Sequence, residues 1–258
     1  MTDIHVHVLP ALDDGPDNMD DAIAMCAMAA DDGIDTMVAT PHMGNGTYEN
    51  SKEIVFENVN QLNTELSARN IHLRVLPGAD NHVSEQLDKL LQNGEAIAVN
   101  DNGRYVLVEF PKHIMPPRYL DWLFELRLKG LTPIFTHPER HTVIQSNTDL
   151  LREWVHGGGL VQVTAMSVTG EFGRNTRKCA EALLKHHLVH AIASDAHSKS
   201  HRRPILSKAL KAAKDITDPD YAEKLVNDFP EAIVNGIDFV IPEPLAEKRT
   251  FFDRVRGR

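Results

Sequence analysis

Five short histidine and carboxylate clusters, each placed where an apolar, strand-like run stops, constrain this chain more than any other feature. They are Asp3-Ile4-His5-Val6-His7, Thr40-Pro41-His42, Gly78-Ala79-Asp80, the pair Val108-Glu109 with Thr136-His137, and Ser194-Asp195-Ala196-His197. Side chains carried on the ends of several parallel strands converge on one mouth, which is how a barrel enzyme assembles a multi-metal site. In a strand, residues two apart share a face, so His5 and His7 project together and can hold one cation.

The runs between the clusters alternate in period. Residues 2–8 read as a strand, 18–32 as an amphipathic helix stopped by Gly33, 36–40 as a strand and 52–69 as a helix. Residues 72–76 and 105–109 read as strands around a short helix near 84–92, and 119–129 as a helix ended by Gly130. Three further apolar runs, 132–136, 160–163 and 190–193, are each preceded by a helical stretch and followed by a polar loop. About seven βα units are visible, which implies a parallel sheet closed or nearly closed into a barrel. With 258 residues, 42% of them apolar and 25% charged, the chain suits one barrel-sized domain over 1–258. The stretch 241–258, with Lys248, Arg249, Arg254, Arg256 and Arg258, reads as a peripheral basic tail with a solvated face.

Several function classes fall away. No run approaches the ~20 apolar residues of a membrane span, and the N-terminus opens on charged and metal-type residues, so the expectation is a soluble, cytoplasmic protein with no membrane insertion. A formal net charge of -10 with a pI near 5.7 argues against nucleic acid as a partner. The two cysteines, Cys26 and Cys179, lie in helical stretches without a CxxC partner and read as small buried hydrophobes.

Imidazole and carboxylate ligands without thiolate suit manganese, iron or zinc, and the hard oxygen share pushes toward manganese or magnesium. Asp13-Asp14-Gly15-Pro16 offers either a further ligand, Asp14, or simple turn chemistry. In His137-Pro138-Glu139-Arg140 a guanidinium lies three residues from a ligand-type histidine, suited to a metal-bound phosphate or to a surface salt bridge with Glu139. The loop 162–170 reads as part of the mouth, with Ser167 a phosphate donor or a helix cap, and Tyr48, Phe110 and Phe172 are candidates to flank an aromatic substrate.

The ordered set Asp-Ile-His-Val-His-Val-Leu-Pro, Asp-Asp-Gly-Pro, Thr-Pro-His, His-Pro-Glu-Arg and Ser-Asp-Ala-His resembles the polymerase and histidinol phosphatase (PHP) superfamily. It is most similar to the bacterial capsule-type branch, the manganese-dependent protein-tyrosine phosphatases acting on tyrosine kinases of exopolysaccharide synthesis. The resemblance runs from residue 2 to about 235. It implies an α/β fold, a distorted (β/α)7 TIM-like barrel with the metal site at the C-terminal ends of the strands, and two or three divalent cations, Mn2+ first and Fe or Zn as alternatives.

Carried over by position, the resemblance implies that His5, His7 and Asp195 hold one metal and that Asp80 bridges it to a second held by Glu109 and His137. Asp14, His42 and His197 hold the third, and Arg140 contacts phosphate. Asp80 departs from the glutamate usual in such families, which implies weaker metal binding. The implied partner is a phosphotyrosine protein, a bacterial tyrosine kinase of polysaccharide export. The expected chemistry is in-line attack on phosphorus by a cation-activated hydroxide without a covalent phosphoenzyme, and Asp14 and His201 are the candidates to assist the leaving phenolate. The competing readings are a small-molecule phosphomonoesterase such as a histidinol phosphatase, and a catalytically weak metal-binding regulatory module.

Overall fold

The computed structural model describes residues 1–245, so the cationic residues of the expected tail, Lys248 to Arg258, lie outside the described residues. In chain order the strands are β1 (Thr2–Val6), β2 (Thr36–Ala39), β3 (His42–Met43), β4 (Arg74–Pro77), β5 (Asp80–His82), β6 (Tyr105–Glu109), β7 (Thr132–Thr136), β8 (Leu160–Thr164) and β9 (Ala191–Ala193). The helices are α1 (Met19–Asp31), α2 (Lys52–Ala68), α3 (Leu87–Asn93), α4 (Tyr119–Leu128), α5 (Thr142–Ser146), α6 (Asp149–His156), α7 (Ala165–Thr169), α8 (Arg174–Lys185), α9 (Ser207–Ile216), α10 (Pro219–Lys224) and α11 (Asp228–Val234).

Local chemistry sets the helix ends. The Asn18 side chain accepts from the Asp21 N–H and starts α1, and the Ser51 side chain accepts from Ile54 and starts α2, as short polar caps do. Ala22, Ile23, Met25, Cys26 and Ala29 recur on one face of α1 and are buried. Cys26 and Cys179 are both free, buried in α1 and α8, and burial pushes each thiol up to about 12, so they pack as hydrophobes.

All strand pairings are parallel, as the βα alternation predicts. The strands form two hydrogen-bonded sheets: a three-stranded sheet ordered β1-β2-β4 and a six-stranded sheet ordered β3-β5-β6-β7-β8-β9. The interruptions fall at Thr40-Pro41, between β2 and β3, and at Gly78-Ala79, between β4 and β5. Pro41 has no N–H to donate to a ladder. At Gly78 the backbone passes so close to β2 that a Cβ would lie 2.6 Å from Val38 Cγ1. The short β3 and β5 that follow each break were not expected from the sequence, and they carry His42 and Asp80.

The two sheets share an interior. Ile4 and Val38 of the first pack in one buried cluster with Tyr105, Leu107, Ile134, Leu160, Ala191 and Ala193 of the second. An isolated parallel bridge, Val6 to Ala196, ties the far end of the larger sheet to β1, with His7 N–H donating to Ala196 O and Asp195 N–H to His5 O. The outer strand faces pack under the helices in a second, larger cluster. Pairing of β1 with β2 shifts register between Asp3 and Val6; such irregularities re-aim side chains, and here Ile4 joins the apolar interior while the neighbouring His5 faces the polar mouth. The expected mouth loop after β8 instead opens with α7, closed by Gly170 in the left-handed region (φ +92°).

Candidate metal centre

The strand ends deliver their polar side chains to one place. His5 and His7 leave β1, His42 and Asp80 lie on β3 and β5, Glu109 ends β6, and His137, Asp195 and His197 follow β7 and β9. His137 and Asp195 have left-handed backbones (φ 38° and 50°), which costs ~1–3 kcal/mol each and is tolerated where the surroundings fix the chain, often at functional sites. Asp80 Oδ2 is central, 3.7 Å from His5 Nε2, 3.6 Å from His42 Nδ1 and 4.0 Å from His137 Nε2. Its short side chain therefore still reaches the middle of the cluster. Glu109 lies 3.6 Å from both His42 Nδ1 and His137 Nε2, and Asp195 Oδ1 is 3.5 Å from His5 and 3.6 Å from His7. Asp14 reaches His197 Nε2 at 3.2 Å and His42 Nε2 at 3.7 Å.

Three overlapping groups bring ligand atoms close enough for a shared cation: His5, His7 and Asp80; His42, Asp80 and Glu109; and His7, Asp14, His42 and His197. All nine sequence-predicted ligands come together, but His42 faces two groups, with Nδ1 toward Asp80 and Glu109 and Nε2 toward Asp14.

The imidazoles are oriented from behind. His7 Nδ1–H donates to Asp13 at 2.6 Å, His5 Nδ1–H to Gln162 Oε1 at 3.1 Å and His197 Nδ1–H to the Asp195 carbonyl at 3.0 Å. Each Nδ1 partner is an acceptor, so each Nε2 lone pair points inward, the arrangement that outer partners impose on metal-binding histidines. His5 Nε2 and His7 Nε2 are only 3.2 Å apart. Two lone pairs at that distance repel unless a cation lies between them. Gly15 makes the Asp13 support feasible, since a Cβ there would meet His7 O at 2.6 Å and Asp13 Oδ1 at 2.9 Å.

The electrostatics fit a cation as well. Both Asp80 oxygens and His42 Nδ1 are buried without a hydrogen-bond partner. Burial, then the Glu109 and Asp195 charges, raise the Asp80 carboxyl well above its usual range. Burial lowers His5 to about 3 and His7 to about 4, and holds His137 well below the ordinary imidazole value. Burial would raise Asp195, but Arg140, His5 and Arg202 outweigh it and keep this carboxylate ionised. Arg140 Nη2 and Arg202 Nη2 approach Asp195 Oδ2 at 2.7 and 2.6 Å.

These groups open into a cavity of about 280 Å³ lined by Asp14, Glu109, His137, Arg140 and Arg202, with Phe110 and Phe135 as apolar wall. Sequence reasoning missed Arg202, which reaches the cavity because its loop folds back, with His197 and Ser198 N–H both donating to Arg202 O. It also treated Asp13 only as a turn former and Gln162 only as a loop residue.

Three further candidates stand as follows. His201 is exposed and lines a separate small depression with Met166 and Glu171, so it is not placed to protonate a leaving group. Asp14 Oδ1 faces His197 Nε2 at 3.2 Å, on the side of the ring away from the Asp195 carbonyl, where the two would share a cation. Ser167 is buried and donates to Glu139 at 2.6 Å, and Glu139 is itself fully buried, so neither a Ser167 contact to phosphate nor a surface Arg140–Glu139 bridge forms. Tyr48 stacks on His42, while Phe172 packs against the Arg140 and Arg202 guanidiniums at 5.4 and 5.9 Å.

Comparison with known proteins agrees with this geometry. The chain is 40% identical over 212 residues to the tyrosine-protein phosphatase YwqE of Bacillus subtilis, covering 81% of this chain and 82% of that protein. It is 28% identical over 239 residues to the tyrosine-protein phosphatase CpsB of Streptococcus pneumoniae, covering 91% and 98%. Its fold superimposes with a TM-score of 0.91, at 34% identity over 96% of this chain and 100% of the other, on a crystal structure from work on YwqE and CpsB that describes them as unique metal-dependent tyrosine phosphatases. The family model for capsular polysaccharide synthesis, CpsB/CapC, matches residues 1–235, and the chain belongs to that family.

Proposed function

We propose that this protein is a metal-dependent protein-tyrosine phosphatase whose substrate is a phosphotyrosine protein, a tyrosine kinase of capsular or exopolysaccharide synthesis in the cytoplasm. The observation that carries this reading is the convergence of nine histidine and carboxylate side chains, six of them lining one cavity with two guanidiniums and His5, His7 and Asp80 buried against them. The names of the relatives support the tyrosine specificity. The domain is the PHP type: β2 with β3, and β4 with β5, count as interrupted strands of a distorted (β/α)7 barrel, supported by the shared interior and the Val6–Ala196 bridge.

The residues that would hold two or three cations, manganese first, are His5, His7, Asp14, His42, Asp80, Glu109, His137, Asp195 and His197. The chemistry such cations supply when bound is polarisation of the phosphoryl group and generation of a nucleophile from water. Arg140 and Arg202 face the same cavity and offer planar donors to phosphoryl oxygens. Phe110 and Phe135 give the tyrosine ring an apolar wall and thin the water around it. Asp13, Gln162 and the Asp195 carbonyl hold the imidazole tautomers through the reaction. The phenolate leaving group, with a pKa of ~10, takes its proton from solvent without a strong general acid.

The test is to purify the protein with manganese, count metals per chain, and compare turnover of phosphotyrosine peptides, phosphoserine peptides and histidinol phosphate. His137→Ala and Arg140→Ala are expected to lose at least ~100-fold on phosphotyrosine. Wild-type turnover no better than these variants would sink the reading, and a preference for histidinol phosphate would move it to a small-molecule phosphatase.

A further inference from the structure

Next to the metal cavity the surface holds a second concavity, of about 370 Å³ and mostly apolar, lined by Val83, Ser84, Pro116, Pro117, Tyr119 and Trp122. Phe110 lines both. Its ring meets the Trp122 indole edge to face at 5.9 Å and 87°, so one aromatic forms the partition between the two spaces. The indole is held in place, with Nε1–H donating to the Ser84 carbonyl at 2.9 Å. At the rim, Glu85 and Arg118 are exposed with opposite charges, and Arg118 is steadied by Asp121 at 2.8 Å.

We propose that this groove is a substrate subsite that takes an aliphatic or proline side chain of the residue two positions from the phosphotyrosine in an extended polypeptide. The inference rests on the phosphatase reading above and deepens it. Continuity with the metal cavity picks the occupant: in an extended chain side chains two positions apart point to the same face, so a phosphotyrosine in the metal cavity brings the residue two positions away to the groove beyond Phe110. The metal cavity by itself recognises a phosphoryl group and an aromatic ring, which any aryl phosphate supplies. Contacts remote from the reacting bond are what separate a protein substrate from a small one. The apolar lining suits an uncharged side chain, with room to spare, and the rim charges Glu85 and Arg118 suit the amide dipoles of a passing main chain.

The test uses the metal-loaded full chain, two phosphotyrosine peptides that differ only in leucine or serine two positions from the phosphotyrosine, and p-nitrophenyl phosphate. Val83→Asp and Pro117→Glu each place a carboxylate at the groove, the second at an exposed position where folding is not at stake. The expected result is a roughly tenfold rise in KM for the leucine peptide with kcat unchanged, and loss of the leucine-over-serine preference. Both constants for p-nitrophenyl phosphate stay within about twofold. A direct readout comes from Trp122, since the only other tryptophan, Trp154, is fully buried: an unphosphorylated leucine peptide should shift its emission in wild type and not in Pro117→Glu.

Parallel changes for peptide and p-nitrophenyl phosphate, or no change for either, overturn the proposal. A Trp122 shift that follows protein concentration alone assigns the groove to a second copy of this chain and also overturns it. Absent turnover of every substrate with the peptide-specific Trp122 shift intact would remove the phosphatase reading and leave the groove. Turnover without that shift or preference would do the reverse.

Discussion

Along β6 and β7 the interior changes character over two or three residues. Leu107 and Ile134 are fully buried in apolar contact with Ile4, Val38, Ala191 and Ala193, whereas Glu109 and His137 face the cavity beside an unpartnered Asp80. The lower layer is complete as the chain folds, because each side chain finds its partners in its neighbours. The upper layer is not, because its acceptors point at one another across 3.2 to 4.0 Å. The same strands therefore supply both stability and an unmet demand for positive charge, and the two should separate under mutation.

The largest effect is expected in the lower layer. Ile134→Ala should cost ~2–5 kcal/mol in urea unfolding, equally with and without metal, and leave metals per chain unchanged. A fall in stoichiometry would break the separation. In the upper layer the sign reverses: Asp80→Asn removes a buried carboxylate without a partner, so the metal-free protein should gain ~1–3 kcal/mol while metal content drops. Destabilisation of the metal-free form would show that Asp80 is satisfied without a cation.

A smaller effect sharpens the contrast between histidines. His190, just before β9, is fully buried away from the mouth, accepts the Val161 N–H at Nδ1, and is lowered by burial to about 3. The unfolded chain, with a histidine near ~6.5, takes up the proton first on acidification. The stability His190 contributes is thus complete above ~6.5 and is lost as pH falls from there toward about 3, at ~1.4 kcal/mol per pH unit. His190→Asn, which keeps an acceptor for Val161, should flatten the stability profile between about pH 6.5 and 4.5 by that slope. An unchanged slope would mean that His190 is not buried neutral.

What could be read from the sequence follows from how local each signal is. His5, His7, His137, Asp195 and His197 were legible because ligand types recur where apolar runs stop, and a strand end needs no tertiary knowledge. The burial of Cys26 was legible too, because it lies in an alanine-rich helical stretch without a CxxC partner. Asp13 was half legible: Asp-Asp-Gly-Pro does make a turn, with Gly15 N–H donating to Asp13 Oδ1, but its other oxygen supports His7. Arg202 gave no signal, because it lies in a run of basic and polar residues and reaches Asp195 only when its loop doubles back. His201, its neighbour, looked equally suited and ended up exposed. The split into two sheets was hidden because β3 and β5 are two and three residues long, too short for any periodicity.

The fixed tautomers have a consequence for how the site takes up its cations. Metal binding to histidine ordinarily competes with protons, so affinity falls as pH drops toward the imidazole pKa. Here His5 and His7 have given up that competition in advance, at about 3 and 4, and His137 likewise lies far below neutrality. Near neutral pH these three rings would enter coordination without releasing a proton. The group whose protonation would oppose a cation is instead Asp80, whose carboxyl is raised by burial and by the neighbouring Glu109 and Asp195 charges.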